Sequence, residues 1–99
     1  MVKLVRDRIP EIIEASGKTP ITHIASDEEY WKELKIKFLE EVNEYLKDDN
    51  EEELADVLEV MDAICEFKKI DKEELERARL DKKEKRGGFD KRIIWDGNR

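Results

Sequence analysis

Two pairs of carboxylates, one on each side of a short link, restrict the fold of this chain more than any other feature. The four residues surround a polar stretch near Asp49: Glu41, Glu44, Glu53 and Asp56. On a helix, a spacing of three residues puts both members of a pair on one face, about 5–6 Å apart at their Cβ atoms. Carboxylates gathered in this way repel one another, so the pattern predicts a cation among them.

The apolar residues around the two pairs predict a helical hairpin. In the first segment they form one narrow stripe: Trp31, Leu34, Phe38, Val42 and Tyr45. In the second segment the predicted core stripe is Leu54, Val57, Leu58, Met61, Ile64 and Cys65. A short link makes the two helices antiparallel neighbours, which brings their carboxylate flanks to the same side. Counted outward from the link, Glu44 is level with Glu53 and Glu41 with Asp56, so we expect one shared site.

The chemistry of this cluster suits a hard cation. Carboxylate oxygens with room for waters are the preferred environment of Mg²⁺ and Mn²⁺. A di-iron centre is disfavoured, because it needs a Glu-x-x-His pair on each of two helices and the only histidine, His23, lies outside both segments. The alternative is a solvated acidic face, since charged residues make up 47% of the chain. Glu53 also has a local alternative role, as the partner of a helix cap at Asn50.

Length and composition limit the class of protein. A chain of 99 residues predicts one domain over 1–99, and 38% hydrophobic residues is a lean supply for a monomer, so we expect a dimer or tetramer. The net charge of −7 argues against a nucleic-acid polymer as partner. A single cysteine, Cys65, and no apolar run of membrane length fit a cytoplasmic protein that does not enter a membrane.

Capping patterns predict where the helices begin. Three capping residues are each followed by a glutamate three positions later: Ser26, Asn50 and Asp71. The predicted long helices span about 27–47, 51–69 and 72–85. Pro10 suits the first turn of a short additional helix that closes near Ser16, and residues 89–95 are predicted to be a short extended piece. The second long helix carries further apolar residues that a terminal segment or another subunit should cover: Val60, Ala63 and Phe67.

Cations near both ends of the chain are candidates for contact with an anion. Lys3 and Arg6 stand among small apolar residues near the start. Lys85 and Arg86 precede Gly87 and Gly88, and a glycine backbone permits close approach of a ligand. Cations are also favoured at a helix C-terminus by the helix dipole, so a purely structural role for this second pair stays open.

With these segments in place, the chain resembles the MazG-like all-α nucleoside triphosphate pyrophosphohydrolases. It is most similar to their small single-domain members related to phosphoribosyl-ATP pyrophosphohydrolases. Three segments carry the resemblance: KLVRDRIPEII at 3–13, the two carboxylate pairs, and KRGGFDKRI at 85–93. The resemblance covers nearly the whole chain. It implies a helical hairpin core with a carboxylate metal site, completed by the terminal segments and by assembly into a homo-oligomer.

The resemblance also implies a role for each matched residue. The metal ligands for Mg²⁺ would be Glu41, Glu44, Glu53 and Asp56. Glu40, together with Glu41, would order and activate a water. Lys37 would face the triphosphate, and the remaining phosphate or ribose contacts would be Lys3, Arg6, Lys85 and Arg86. Enzymes of this family cut the α–β phosphoanhydride, giving a nucleoside monophosphate and pyrophosphate.

Three functions therefore stand as hypotheses. The first is metal-dependent hydrolysis of surplus or non-canonical nucleotides. The second is hydrolysis of phosphoribosyl-ATP in histidine synthesis. The third is a non-enzymatic, acidic helical interaction module in which the carboxylates form a solvated face.

Overall fold

The fold is entirely helical over the part of the chain that the computed structural model describes, residues 2–99. Its helices are α1 (Ile9–Ala15), α2 (Asp27–Asp48), α3 (Glu51–Phe67) and α4 (Lys72–Arg86). The described residues include no strand, which confirms the predicted all-α class. They divide into two compact units, the first ending at Lys68 and the second running from Lys69 to Arg99. The expectation of one domain over 1–99 stays a prediction.

A two-residue link joins α2 to α3 and makes them a hairpin. Asp49 adopts a left-handed conformation, with φ of 53°, and its N–H donates to the carbonyl oxygen of Tyr45 at 2.7 Å. The side chain of Asn50 then caps α3 by accepting the N–H of Glu53 at 2.9 Å. The two helices pack against each other along their length, as predicted.

The core of the first unit lies between α2 and α3. Leu34 is only 1% exposed, and Val60 and Cys65 are also buried. At the far end of the hairpin, the ring of Trp31 stacks on Phe67 with centroids 5.8 Å apart, and Tyr30 meets Phe67 edge-on at 5.2 Å. Phe67, expected to need cover from elsewhere, is therefore covered by aromatic side chains of α2.

The packing face of α3 is rotated from the predicted stripe. Leu54, Leu58 and Met61 were expected in the core but are exposed. The positions that are buried or half-buried fall mainly on the neighbouring face: Glu53, Asp56, Val57, Val60, Ile64 and Phe67. The aromatic contacts of Phe67 at one end favour this rotation, because large rings contribute strongly to packing energetics. An apolar stripe is thereby left on the surface of α3.

The second unit contains α4, which has no buried residue. Its N-terminus is capped by Asp71, whose carboxylate accepts the N–H groups of Glu73 and Glu74 at 2.8 and 3.2 Å. The helix ends at Gly87, which has φ of 82°. Residues 89–91 form a bend and turn, and 92–99 are neither helix nor strand, so the extended piece expected over 89–95 is not part of a sheet. Among the described residues, no helix is long and apolar enough to cross a membrane.

Candidate functional site

Carboxylates from α2 and α3 meet in two overlapping groups. In the first group, carboxylate oxygens of Glu41, Glu53 and Asp56 all lie within 4.8 Å of one another. In the second group, Glu44, Asp48 and Glu53 satisfy the same limit. Glu53 belongs to both groups, so the four carboxylates singled out in the sequence gather around it. Asp48 joins them one turn after Glu44, at a position that sequence analysis did not assign to the site.

The hairpin brings these carboxylates together without any other element. On α2, Glu41, Glu44 and Asp48 follow each other at spacings of three and four residues, which keeps them on one face. On α3, Glu53 lies in the first turn, where its N–H is fixed by the cap, and Asp56 follows three residues later. Because the link has only two residues, the carboxylates at the end of α2 lie next to those at the start of α3.

Glu41 is the carboxylate drawn deepest into the protein. It is 9% exposed, and its Oε1 lies 3.2 Å from Nζ of Lys37, one helical turn earlier. The same ammonium group lies 3.4 Å from Oε1 of Glu40. Lys37, expected to face a phosphate, is thus a cation held between two carboxylates in a half-buried position. Such a lysine neutralises Glu41 and lies beside Glu40, which is itself half-buried.

An arginine from the start of the chain pairs with the other end of the cluster. Nη2 of Arg6 lies 2.6 Å from Oδ1 of Asp56, fifty residues further along the chain. No periodicity or spacing in the sequence indicates this contact, because the segment that carries Arg6 precedes α1 and has no helical register with α3. The sequence indicates Arg6 only as a candidate contact for an anion.

Within the first carboxylate group, Glu53 is the member that these cations leave without a partner. Within the described residues, no lysine or arginine pairs with its side chain. Loss of hydration raises the pKa of the Glu53 carboxyl, and repulsion from its neighbours raises it further, in the order Asp56, Asp48, Glu44 and Glu41. Glu53 therefore holds a proton more readily than an isolated glutamate would.

A cleft of about 670 Å³ opens beside the cluster in the first unit. Its walls include two of the clustered carboxylates, Glu41 and Asp56, and three of the cations assigned to phosphate contact, Lys3, Arg6 and Lys37. Leu34 and Val60 also line it, so part of its wall is the apolar core. Four further acidic residues on its wall were not among the candidates that the sequence indicates: Asp7, Glu59, Asp62 and Glu66. The cleft thus has both charge signs on its surface.

The remaining candidates lie outside this cleft wall. Glu44 is exposed and joins only the second carboxylate group. Lys85 and Arg86 belong to the second unit. There, a groove of about 570 Å³ is lined by Arg86 but not by Lys85, together with other residues of α4 and the turn that follows: Arg79, Lys82, Lys83, Gly87, Gly88, Phe89 and Asp90.

Comparison with known proteins adds one relative. No protein-family profile matches the chain, and no solved structure matches it. A segment of 44 residues is 59% identical to a protein of Mycolicibacterium smegmatis (strain ATCC 700084 / mc(2)155) that is described as uncharacterized. The match covers 44% of this chain and 45% of the relative, so the chain spans less than half of that protein's length in the match. This similarity indicates neither an activity nor a family for the chain.

Proposed function

We propose that this protein is a Mg²⁺-dependent, MazG-like nucleotide pyrophosphohydrolase that cuts the α–β phosphoanhydride of a nucleoside triphosphate. The products are a nucleoside monophosphate and pyrophosphate, and the role we propose is the removal of surplus or non-canonical nucleotides. One observation carries the proposal: the oxygens of Glu41, Glu53 and Asp56 lie within 4.8 Å of one another beside a cleft that Lys3, Arg6 and Lys37 also line. Acidic clusters alone are common, but neighbouring cations in one cleft favour a phosphate ligand.

The donor set fits a hard divalent cation. Every ligand atom in both groups is a carboxylate oxygen, and Mg²⁺ takes a few carboxylates and completes its octahedral shell with waters and phosphate oxygens. Glu41, Glu53 and Asp56 would hold one ion. Glu44 and Asp48, sharing Glu53, would hold a second. Desolvation and the repulsion among these carboxylates raise the pKa of Glu53, and a bound cation would relieve the repulsion, which is a further reason for such a site.

The residues around the cluster would divide the chemistry among them. A bound Mg²⁺ neutralises phosphate oxygens and lowers the pKa of a coordinated water. The carboxylate of Glu40, or a free edge of Glu41, would accept a proton from the attacking water. Lys37 would hold the triphosphate close to these carboxylates, and Lys3 and Arg6 would bind its oxygens from the cleft wall. Lys85 and Arg86, which the resemblance assigns to phosphate or ribose contact, belong to the second unit, and that assignment stays a prediction.

The exposed stripe on α3 supports a homo-oligomer, either a dimer or a tetramer. Leu54, Leu58 and Met61 recur along one side of α3 and are exposed, and Leu39 and Leu46 of α2 are exposed as well. Burying apolar surface of this kind between subunits would stabilise the assembly by about 25 cal/mol per Å². We therefore expect Leu58→Glu to shift the protein toward the monomer in sedimentation velocity, while Leu80→Glu on α4 leaves the assembly unchanged.

A pyrophosphate-release screen tests the enzymatic proposal directly. The panel contains canonical and modified nucleoside triphosphates and phosphoribosyl-ATP, each with Mg²⁺, Mn²⁺ or EDTA. We expect metal-dependent release from at least one group of nucleotides. Glu41→Gln should reduce turnover by about 100-fold or more, because it removes a charged ligand that packing has preorganised. Its matched control, Glu84→Gln on α4, should stay within about 2-fold of the unmodified protein, as expected for a surface substitution.

The same screen separates the alternatives. Release from phosphoribosyl-ATP alone would favour the histidine-pathway enzyme. The ion pairs of Glu41 with Lys37 and of Asp56 with Arg6 favour an interaction module instead, because they neutralise two carboxylates without any ion. In a catalytic site, Mn²⁺ should bind more tightly when a non-hydrolysable nucleotide is present. Silence over the whole panel, with no such coupling in folded protein, would leave the interaction module as the better account.

A further inference from the structure

We infer that Arg6 is an internal counter-ion for the acidic cluster, which competes with a divalent cation for Asp56 and is released toward the cleft when the cation binds. This inference rests on the metal site proposed above and describes its regulation. Its starting point is the pairing within the first carboxylate group. Arg6 lies 2.6 Å from Asp56, Lys37 lies 3.2 Å from Glu41, and Glu53 has no such partner among the described residues.

The two cations differ in how firmly the fold holds them. Lys37 stands one turn from Glu41 on the same helix, and its side chain is only 19% exposed. Arg6 precedes α1, and its side chain is 57% exposed. An exposed side chain exchanges its protein partner for water at little cost, whereas a half-buried lysine between two glutamates does not. Arg6 is therefore the cation that a metal ion can displace.

Competition follows from charge alone. A guanidinium group and a divalent cation that share the carboxylate of Asp56 repel each other, and repulsion at contact distance is strong where the surroundings are partly desolvated. Linkage makes the effect reciprocal: a bound cation weakens the hold of Asp56 on Arg6, and Arg6 weakens the binding of the cation by the same factor.

The position of Arg6 would let the released side chain bind an anion in the cleft. Arg6 lines the cleft together with Lys3 and Lys37, two further residues proposed to bind phosphate. A guanidinium group binds phosphate oxygens as readily as it binds a carboxylate, with the same paired N–H geometry. On release, the group that neutralises Asp56 becomes a free phosphate contact on the same wall. Cation binding would thus prepare the cleft for an anionic ligand.

Mn²⁺ binding by isothermal calorimetry tests the competition on the full chain. We expect Arg6→Gln to bind Mn²⁺ about 2- to 5-fold more tightly than the unmodified protein, the range that corresponds to one surface ion pair. The matched control is Arg8→Gln, which removes the same charge from the same segment. Arg8 pairs with Glu11 at 3.8 Å and not with the cluster, so Mn²⁺ affinity should change by less than about 1.5-fold.

Hydrogen exchange of the backbone amides at 4–8 tests the release. In the unmodified protein, Mn²⁺ should speed exchange in this segment relative to EDTA, because the tie to Asp56 is weakened. In Arg6→Gln, exchange should be fast under both conditions. Slower exchange with Mn²⁺ would contradict release.

The outcomes separate this inference from the proposed function. If the unmodified protein binds Mn²⁺ but Arg6→Gln and Arg8→Gln behave alike, the counter-ion role of Arg6 is wrong and the metal site stands. If the unmodified protein binds no Mn²⁺, with or without nucleotide, the metal site itself is wrong and the inference is overturned with it.

Discussion

Helices α2 and α4 are both rich in charge, but different forces stabilise them. Helix α2 packs on α3, buries Leu34 and draws the carboxylate of Glu41 in with it. Helix α4 has no buried residue and depends on local interactions. These are the cap at Asp71, an ion pair between Glu76 and Arg79, and basic residues in the last turn. In the first unit acidic residues outnumber basic ones, and in the second the reverse holds.

One glutamate from each unit shows what this difference does to titration. Desolvation and repulsion from neighbouring carboxylates raise the pKa of Glu53. The side-chain hydrogen bond from Arg79, together with its charge, lowers the pKa of Glu76. Packing in the first unit thus holds like charges together, whereas in the second unit opposite charges form an ion pair. Like charges held together by packing are typical of binding sites, and opposite charges along an exposed helix are typical of its own stabilisation.

The largest expected effect is on the core of the first unit. Leu34→Ala should reduce the free energy of unfolding by about 2–5 kcal/mol, because it leaves a cavity where a fully buried side chain stood. Leu80→Ala on α4, where the side chain is 48% exposed, should cost less than about 1 kcal/mol. Urea unfolding followed by circular dichroism measures both. Equal losses would mean that α4 contributes to stability as the hairpin does.

A smaller effect is expected from the cap of α4. Asp71→Ala should destabilise this helix by about 1 kcal/mol, because the N–H groups of Glu73 and Glu74 lose their acceptor. Amide hydrogen exchange should rise in 72–86 and stay unchanged in α2 and α3. The control is Asp90→Ala, which removes a carboxylate from the turn after the helix. Faster exchange throughout the chain would show that the two units unfold together.

The smallest effect is on the pH dependence of stability, and its sign differs between the units. Because the pKa of Glu53 is raised on folding, its ionised form destabilises the folded state. The contribution of Glu53 to the free energy of unfolding therefore becomes more favourable as pH falls from neutral toward the ordinary glutamate range. Glu76 has a lowered pKa, so its contribution is present above that range and is lost as pH falls through it. Glu53→Gln should make stability fall more steeply on acidification, and Glu76→Gln should make it fall less steeply. Unfolding temperatures between pH 7 and pH 4 measure both slopes, and matching slopes would contradict the opposite pKa shifts.

Much of the fold could be predicted because its signals are local. The caps at Ser26, Asn50 and Asp71 each accept the N–H groups that the sequence pattern predicts. A cap depends on residues two or three positions away, and no distant contact is needed to place it. The meeting of the carboxylates across the link was predictable for the same reason, since two residues leave the hairpin little freedom.

The rest depended on contacts between distant residues. Leu58 and Val60 are two positions apart and similarly apolar, yet Val60 is buried and Leu58 is exposed, and this choice depends on the packing of α3 against α2. The pairing of Arg6 with Asp56 joins segments that share no periodicity. The assignments of metal, substrate and oligomer stay predictions for a further reason: they concern partners that the helices of one chain do not contain.

Asp49 carries one more consequence. Its left-handed backbone, a conformation that aspartate and asparagine adopt more readily than most residues, turns the chain within two residues. A shift of one residue in the start of α3 would rotate its side chains by about 100° and move Glu53 away from α2. The conformation of the link therefore determines which residues of α2 and α3 lie opposite each other. A relative could keep every carboxylate of this cluster and still lose their meeting point through a single inserted residue.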